Sequence, residues 1–118
     1  MIERDIRGDV VLLTPLDSLD GRQARQLREL VADEVVAGRT RFVLDLSQLE
    51  FIDSSGLGAL VWSHSRVAEA GGAMLLCGIG SRVRTLIALT RLDEVLSVRP
   101  TLPGALAELS TPRADHEP

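Results

Sequence analysis

Phe42-Val43-Leu44-Asp45-Leu46-Ser47-Gln48-Leu49-Glu50-Phe51-Ile52-Asp53-Ser54-Ser55-Gly56-Leu57-Gly58 changes its hydrophobic period part-way along, and that change decides the fold. Phe42 to Leu46 is short, partly β-branched or aromatic, and continuous enough to suit a strand covered on both faces. From Leu57 the apolar residues fall at Leu57, Leu60, Val61, Val67 and Ala68, the spacing of one helical face. Between the two lies Asp53-Ser54-Ser55-Gly56, whose short side chains suit the orphan N–H groups of a helix start. The stretch therefore reads as strand, loop and helix, with the hydroxyls at an exposed helix N-terminus.

Upstream, residues 2–7 and the run Val10-Val11-Leu12-Leu13 read as a hairpin turned at Gly8-Asp9 and ended by Pro15, which lacks a ladder donor. Asp17, Ser18 and Asp20 can each cap a helix over about Gly21 to Ala37, with Ala24, Leu27, Val31, Glu34 and Val35 on its inner face and Gly38 as its stop. Arg22, Arg25, Arg28, Glu29 and Asp33 keep its other faces wet. Downstream of the central helix, which ends at Gly71-Gly72, Ala73 to Cys77 reads as a buried strand. A helix capped by Ser81 follows, then a short strand over Leu96 to Val98, then a helix capped by Thr101 that carries Leu102, Ala105, Leu106 and Leu109. Strands alternating with helices after a hairpin give an α/β domain, with a mixed, mostly parallel sheet of about four to five strands and about four helices. The domain is expected over residues 1–110, followed by a polar, proline-interrupted tail over 111–118 expected to be disordered.

A chain of 118 residues is one domain able to close its own core. Net charge is −4, and the thirteen positive residues, all arginine, are scattered among seventeen acidic ones, which argues against nucleic-acid binding. Lysine is absent, which excludes a phosphate loop built on that residue and Schiff-base chemistry. The lone Cys77 lies in an apolar run and reads as a core residue in a reducing compartment. Two histidines and one cysteine supply no metal-ligand set, and no cofactor is implied. Met1-Ile2-Glu3-Arg4-Asp5 has no apolar signal core and no stretch suits membrane insertion, so the protein is expected in the cytoplasm.

On a helical wheel Ser55, Ala59, Trp62, Arg66 and Glu69 lie opposite the apolar stripe, so a modifiable hydroxyl and a tryptophan face the same way two turns apart. Trp62 either belongs to a docking surface or packs under a neighbouring element. His64 falls on the apolar side, away from Ser55, and the Gly-x-Ser-x-Gly elbow is missing, so a small serine hydrolase is a remote alternative. A nucleotide-binding enzyme is equally remote: Gly78-Ile79-Gly80 lacks the third small residue of a dinucleotide fingerprint, with Val83 in its place, and reads as a tight turn.

Leu44-Asp45-Leu46-Ser47 followed by Phe51-Ile52-Asp53-Ser54-Ser55-Gly56-Leu57-Gly58 resembles the signature of STAS domains, and within them of bacterial anti-sigma factor antagonists. The resemblance extends from about Val10 to Leu109 and implies a single STAS-type domain with a regulatory rather than an enzymatic role. It implies phosphorylation at Ser55 by an anti-sigma factor that is also a serine kinase, with Asp53, Ser54 and Gly56 supporting that site. Asp53 is then both helix cap and orienter of the hydroxyl, while Ser54 is a cap or an alternative phosphosite. The partner surface expected is Ser55, Gly58, Ala59, Trp62 and Arg66. The partners implied are that kinase, bound when Ser55 is unmodified, and a serine phosphatase that restores binding, with the protein itself a monomer or weak dimer. A STAS subunit of a stress-sensing scaffold or of a lipid-transport ATPase is the alternative client. Arg91 stands where related sequences often have glycine.

Overall fold

A computed structural model describes residues 1–110, and the tail expected over 111–118 lies outside the described residues. The chain forms β1 (Ile2–Arg7), β2 (Val10–Pro15), β3 (Asp17–Leu19), α1 (Gly21–Val36), β4 (Arg41–Asp45), β5 (Leu49–Ile52), α2 (Ser54–Glu69), β6 (Ala73–Cys77), α3 (Ser81–Leu89), β7 (Val98–Arg99) and α4 (Leu102–Ser110). A 3₁₀ turn over Leu92–Glu94 joins α3 to β7.

Five strands make the main sheet in the order β1-β2-β4-β6-β7, with only the β1–β2 hairpin antiparallel. This is the mixed, mostly parallel sheet expected. Its strands divide their side chains by the two-residue period of the pleat. Val11, Leu13, Phe42, Leu44, Met74 and Leu76 face a large core closed by α1, α2 and α3. Val10, Leu12, Val43, Leu75 and Cys77 face a smaller core closed by α4 through Ala105 and Leu109. Coverage of both faces is why these strands carry continuous apolar runs.

Four local expectations are corrected. Asp17 and Ser18 do not cap α1; they lie in β3, which pairs in parallel with β5 to form a second, two-stranded sheet. Leu49–Ile52, read as loop, is a strand because Leu49 and Ile52 reach the core from its two ends while Glu50 and Phe51 stay exposed, a pattern with neither alternation nor a continuous run. Ser81 is the first residue of α3 rather than its cap; Gly80 stands at the cap position without a side-chain bond, and the last strand falls at Val98–Arg99. Thr101 does cap α4, accepting from the Gly104 N–H at 3.2 Å.

Glu34 is buried among apolar neighbours of α1, and Arg4 Nε (2.5 Å) and Arg39 Nη1 (3.1 Å) both donate to its carboxylate. The hydrogen bond from Arg4, aided by the charges of both arginines, outweighs burial and holds the Glu34 carboxyl below its ordinary value. The pair from Arg4 also ties β1 to α1.

Candidate functional site

The small sheet places the two helices that build the site. Leu19 and Ile52 are register partners in it, and each is followed by an aspartate that caps a helix. Asp20 accepts from the Gln23 N–H at 3.3 Å and Asp53 from the Gly56 N–H at 2.9 Å, both from extended backbone. So α1 and α2 start side by side, run in the same direction and pack along their length.

Gly56 locks this arrangement. An added Cβ there would overlap the Leu19 carbonyl oxygen and the Ile52 side chain, so only glycine lets α2 begin this close to β3. Two residues on, Gly58 is exposed and an added Cβ would meet nothing. Similar residues thus do different work: Gly56 sets a backbone approach and Gly58 leaves a surface open.

Ser54 and Ser55 occupy the first two positions of α2 and both are exposed. They face different ways. Ser55, Gly58 and Trp62 line a groove shared with Gly21, Arg25, Arg28, Glu29 and Ala32 of α1. Ser54 lies with Leu57, Val61 and Ser65 on the other side, opposite Thr90 and Leu92. Trp62 borders both grooves and is 40% exposed, so it does not pack away beneath a neighbour. Arg66 is half-buried and lines neither.

Ala59 is fully buried, which corrects its placement on the exposed surface. The buried face of α2 is Gly56, Ala59, Leu60, Ser63 and Val67, rotated from the stripe of Leu57, Leu60, Val61, Val67 and Ala68 that hydrophobicity alone picks out. The reason is that α2 is covered by α1 as well as by the sheet, and small side chains let two helices approach closely. Ala68 is left exposed. Ser63 fills a core position, its hydroxyl without a hydrogen-bond partner among the described residues.

Sequence reading missed Arg25 and Arg28 as members of the site. The face Gly21, Arg25, Arg28, Ala32 was legible as a helical line, but nothing local says that the start of α2 lies beside it.

Cys77 is buried on the sheet face closed by α4, away from the groove that Ser55 lines. Burial, with a smaller contribution from the charge of Asp45, pushes the Cys77 thiol up to about 11. Gly78, at φ +68, turns the chain directly over Asp45, whose carboxylate accepts from the Ser47 N–H at 3.0 Å. His64 is half-buried and lines neither groove beside Ser55. No group of metal-binding side chains occurs among the described residues, and no described helix is long and apolar enough to cross a membrane.

A profile of the STAS domain matches residues 1–105. The chain belongs to the STAS domain family. Among its relatives, a homolog of the protein TM1081 from Thermotoga neapolitana is 33% identical over 110 residues, covering 92% of this chain and 97% of its own. The anti-sigma F factor antagonist of Paenibacillus polymyxa is 28% identical over 110 residues, covering 92% and 93%. The NMR structure of TM1081 superposes with a TM-score of 0.84 at 30% identity, over 95% of this chain and 90% of that one. By sequence this STAS domain stands among the anti-sigma factor antagonists, and it superposes on the crystal structure of one from Mycobacterium paratuberculosis with a TM-score of 0.82 at 25% identity, over 94% of each chain.

Proposed function

We propose that this STAS domain is an anti-sigma factor antagonist working by partner switching. With Ser55 unmodified it binds an anti-sigma factor that is also a serine kinase, and so frees a sigma factor. The observation that carries this reading is an exposed Ser55 hydroxyl on a helix start pinned by the Asp53 cap and by the close approach of Gly56 to β3. Beside it, Gly58 and the part-exposed Trp62 offer a shallow surface with an aromatic anchor.

In the bound complex Ser55 Oγ attacks the γ-phosphorus of the kinase's ATP. The new O–P bond forms as the bond to the β,γ-bridging oxygen breaks, ADP leaves, and the hydroxyl proton passes to a base of the kinase. The phosphate brings a charge of about −1.5 to −2. A helix N-terminus tolerates an anion, so α2 stays folded and binding ends through charge and bulk in the interface. A serine phosphatase then resets the switch.

Intact mass after incubation with ATP and kinase-type anti-sigma factors tests this. Wild type and Ser54→Ala are expected to gain one phosphate and Ser55→Ala none. Modification of Ser55→Ala to the same extent, or of no form by any such kinase, overturns the proposal.

A further inference from the structure

Arg25 and Arg28 stand out in the groove beside Ser55. Six ion pairs form among the described residues and engage Arg4, Arg7, Arg39, Arg41, Arg91 and Arg99, but neither Arg25 nor Arg28. Arg25 is exposed and Arg28 half-buried, and both line the groove that Ser55 borders.

Their position along α1 matters as much as their charge. Because α1 and α2 start from paired residues, Gly21 and Ser55 stand together at the top of the groove, with Arg25 and Arg28 about one and two turns below Gly21. Helical side chains lean toward the N-terminus, which for both arginines is the direction of the Ser55 end of the groove. The acidic groups nearby are differently placed. Glu29 lines the same groove on the turn of Arg28, while the Asp20 and Asp53 carboxylates are engaged by the N–H groups they cap.

We propose that Arg25 and Arg28 form, with the start of α2, a receiving site for the phosphate carried by Ser55 of the same chain. Guanidinium groups pair with phosphate oxygens through parallel N–H···O bonds, which suits a dianion held between two of them. The consequence deepens the switch, and rests on the reading that Ser55 is phosphorylated. In the unmodified protein the two arginines are free to meet an acidic partner surface. Once phosphate is present they turn inward upon it, so modification removes two positive charges from the interface as well as adding negative ones.

Phosphoserine placed at position 55 during translation makes the test independent of any kinase. The second ionisation of the phosphate is followed by ³¹P NMR in otherwise wild-type protein and in Arg25→Gln/Arg28→Gln, which keeps helix propensity nearly constant. In the wild-type background it is expected about 0.5 to 1 unit below its ordinary value near 6, and the double variant should recover at least half of that shift. The helix N-terminus is common to both proteins, so the difference belongs to the arginines. Phosphoserine at position 54, on the other side of α2, should be unaffected by the same double substitution. Equal titration at position 55 in the two backgrounds, with both proteins folded by circular dichroism, overturns the receiving site. Failure of kinases to modify Ser55 would instead overturn the partner-switching reading.

Discussion

Gly56 and Gly58 sit two residues apart in one helix, yet alanine at the two positions should change stability in opposite directions. At Gly58 the added methyl group meets nothing, so the substitution gains only helix propensity, about 0.5–1 kcal/mol. At Gly56 a similar gain is opposed by overlap with the Leu19 carbonyl and the Ile52 side chain. The carbonyl cannot move aside as a flexible side-chain end would, because Leu19 is fixed in the β3–β5 ladder and its oxygen also accepts from the Asp53 N–H at 3.5 Å. Overpacking of this kind costs about 1–3 kcal/mol, and a backbone obstacle places it at the upper end, for a net loss of about 2 kcal/mol. In a chain of this size a change of 1 kcal/mol moves the melting temperature by about 4 °C. Gly58→Ala should therefore melt about 2–4 °C above wild type and Gly56→Ala about 8 °C below it. Urea unfolding followed by circular dichroism checks both, with an unchanged slope as the sign that only stability moved. If Gly56→Ala were as stable as wild type, the close start of α2 on β3 would not be what demands glycine there. Gly58→Ala supplies a second readout: if the groove is the partner surface, the more stable protein should bind its anti-sigma factor less well.

Other substitutions read the same structure elsewhere. Ser63→Ala should stabilise the protein by about 1 kcal/mol in urea titration, since it removes a buried hydroxyl without a partner among the described residues and leaves a better helix former. Arg91 holds φ at +61° in the turn between α3 and the 3₁₀ turn, so Arg91→Gly should raise stability by about 0.5–1 kcal/mol; its 3.8 Å pair with Glu94 is exposed and adds little. Glu34 makes stability pH-dependent in a defined direction. Its folded-state carboxyl is depressed, chiefly by the hydrogen bond from Arg4, so its contribution is present above the unfolded value of about 4.3 and is lost as pH falls through the lower folded value. Glu34→Gln should lower the urea midpoint at pH 7 and flatten its decline between about pH 5 and pH 3, and an unflattened decline would remove Glu34 as its source.

What the sequence determined by itself is local. The run Phe42–Leu46 declares a strand covered on both faces, and the sheet supplies a core on each side of it. Asp53 and Thr101 declare helix starts because a cap reaches only from residue i to i+3. The resemblance to the STAS signature was legible for the same reason, since Leu44–Ser47 and Phe51–Gly58 are short runs at a fixed, near spacing along the chain. Tertiary structure decided which side of each helix would be covered. Ala59 is buried and Ala68 exposed because α1 lies beside α2, a fact set by the pairing of Leu19 with Ile52 across 33 residues of chain. That pairing also made β3 and β5 strands, though neither segment carries a clear period, and it brought Arg25 and Arg28 to the start of α2 beside Ser55. Periodicity can assign a residue to a face, but the partner of that face lies elsewhere in the chain and is chosen only when the parts pack.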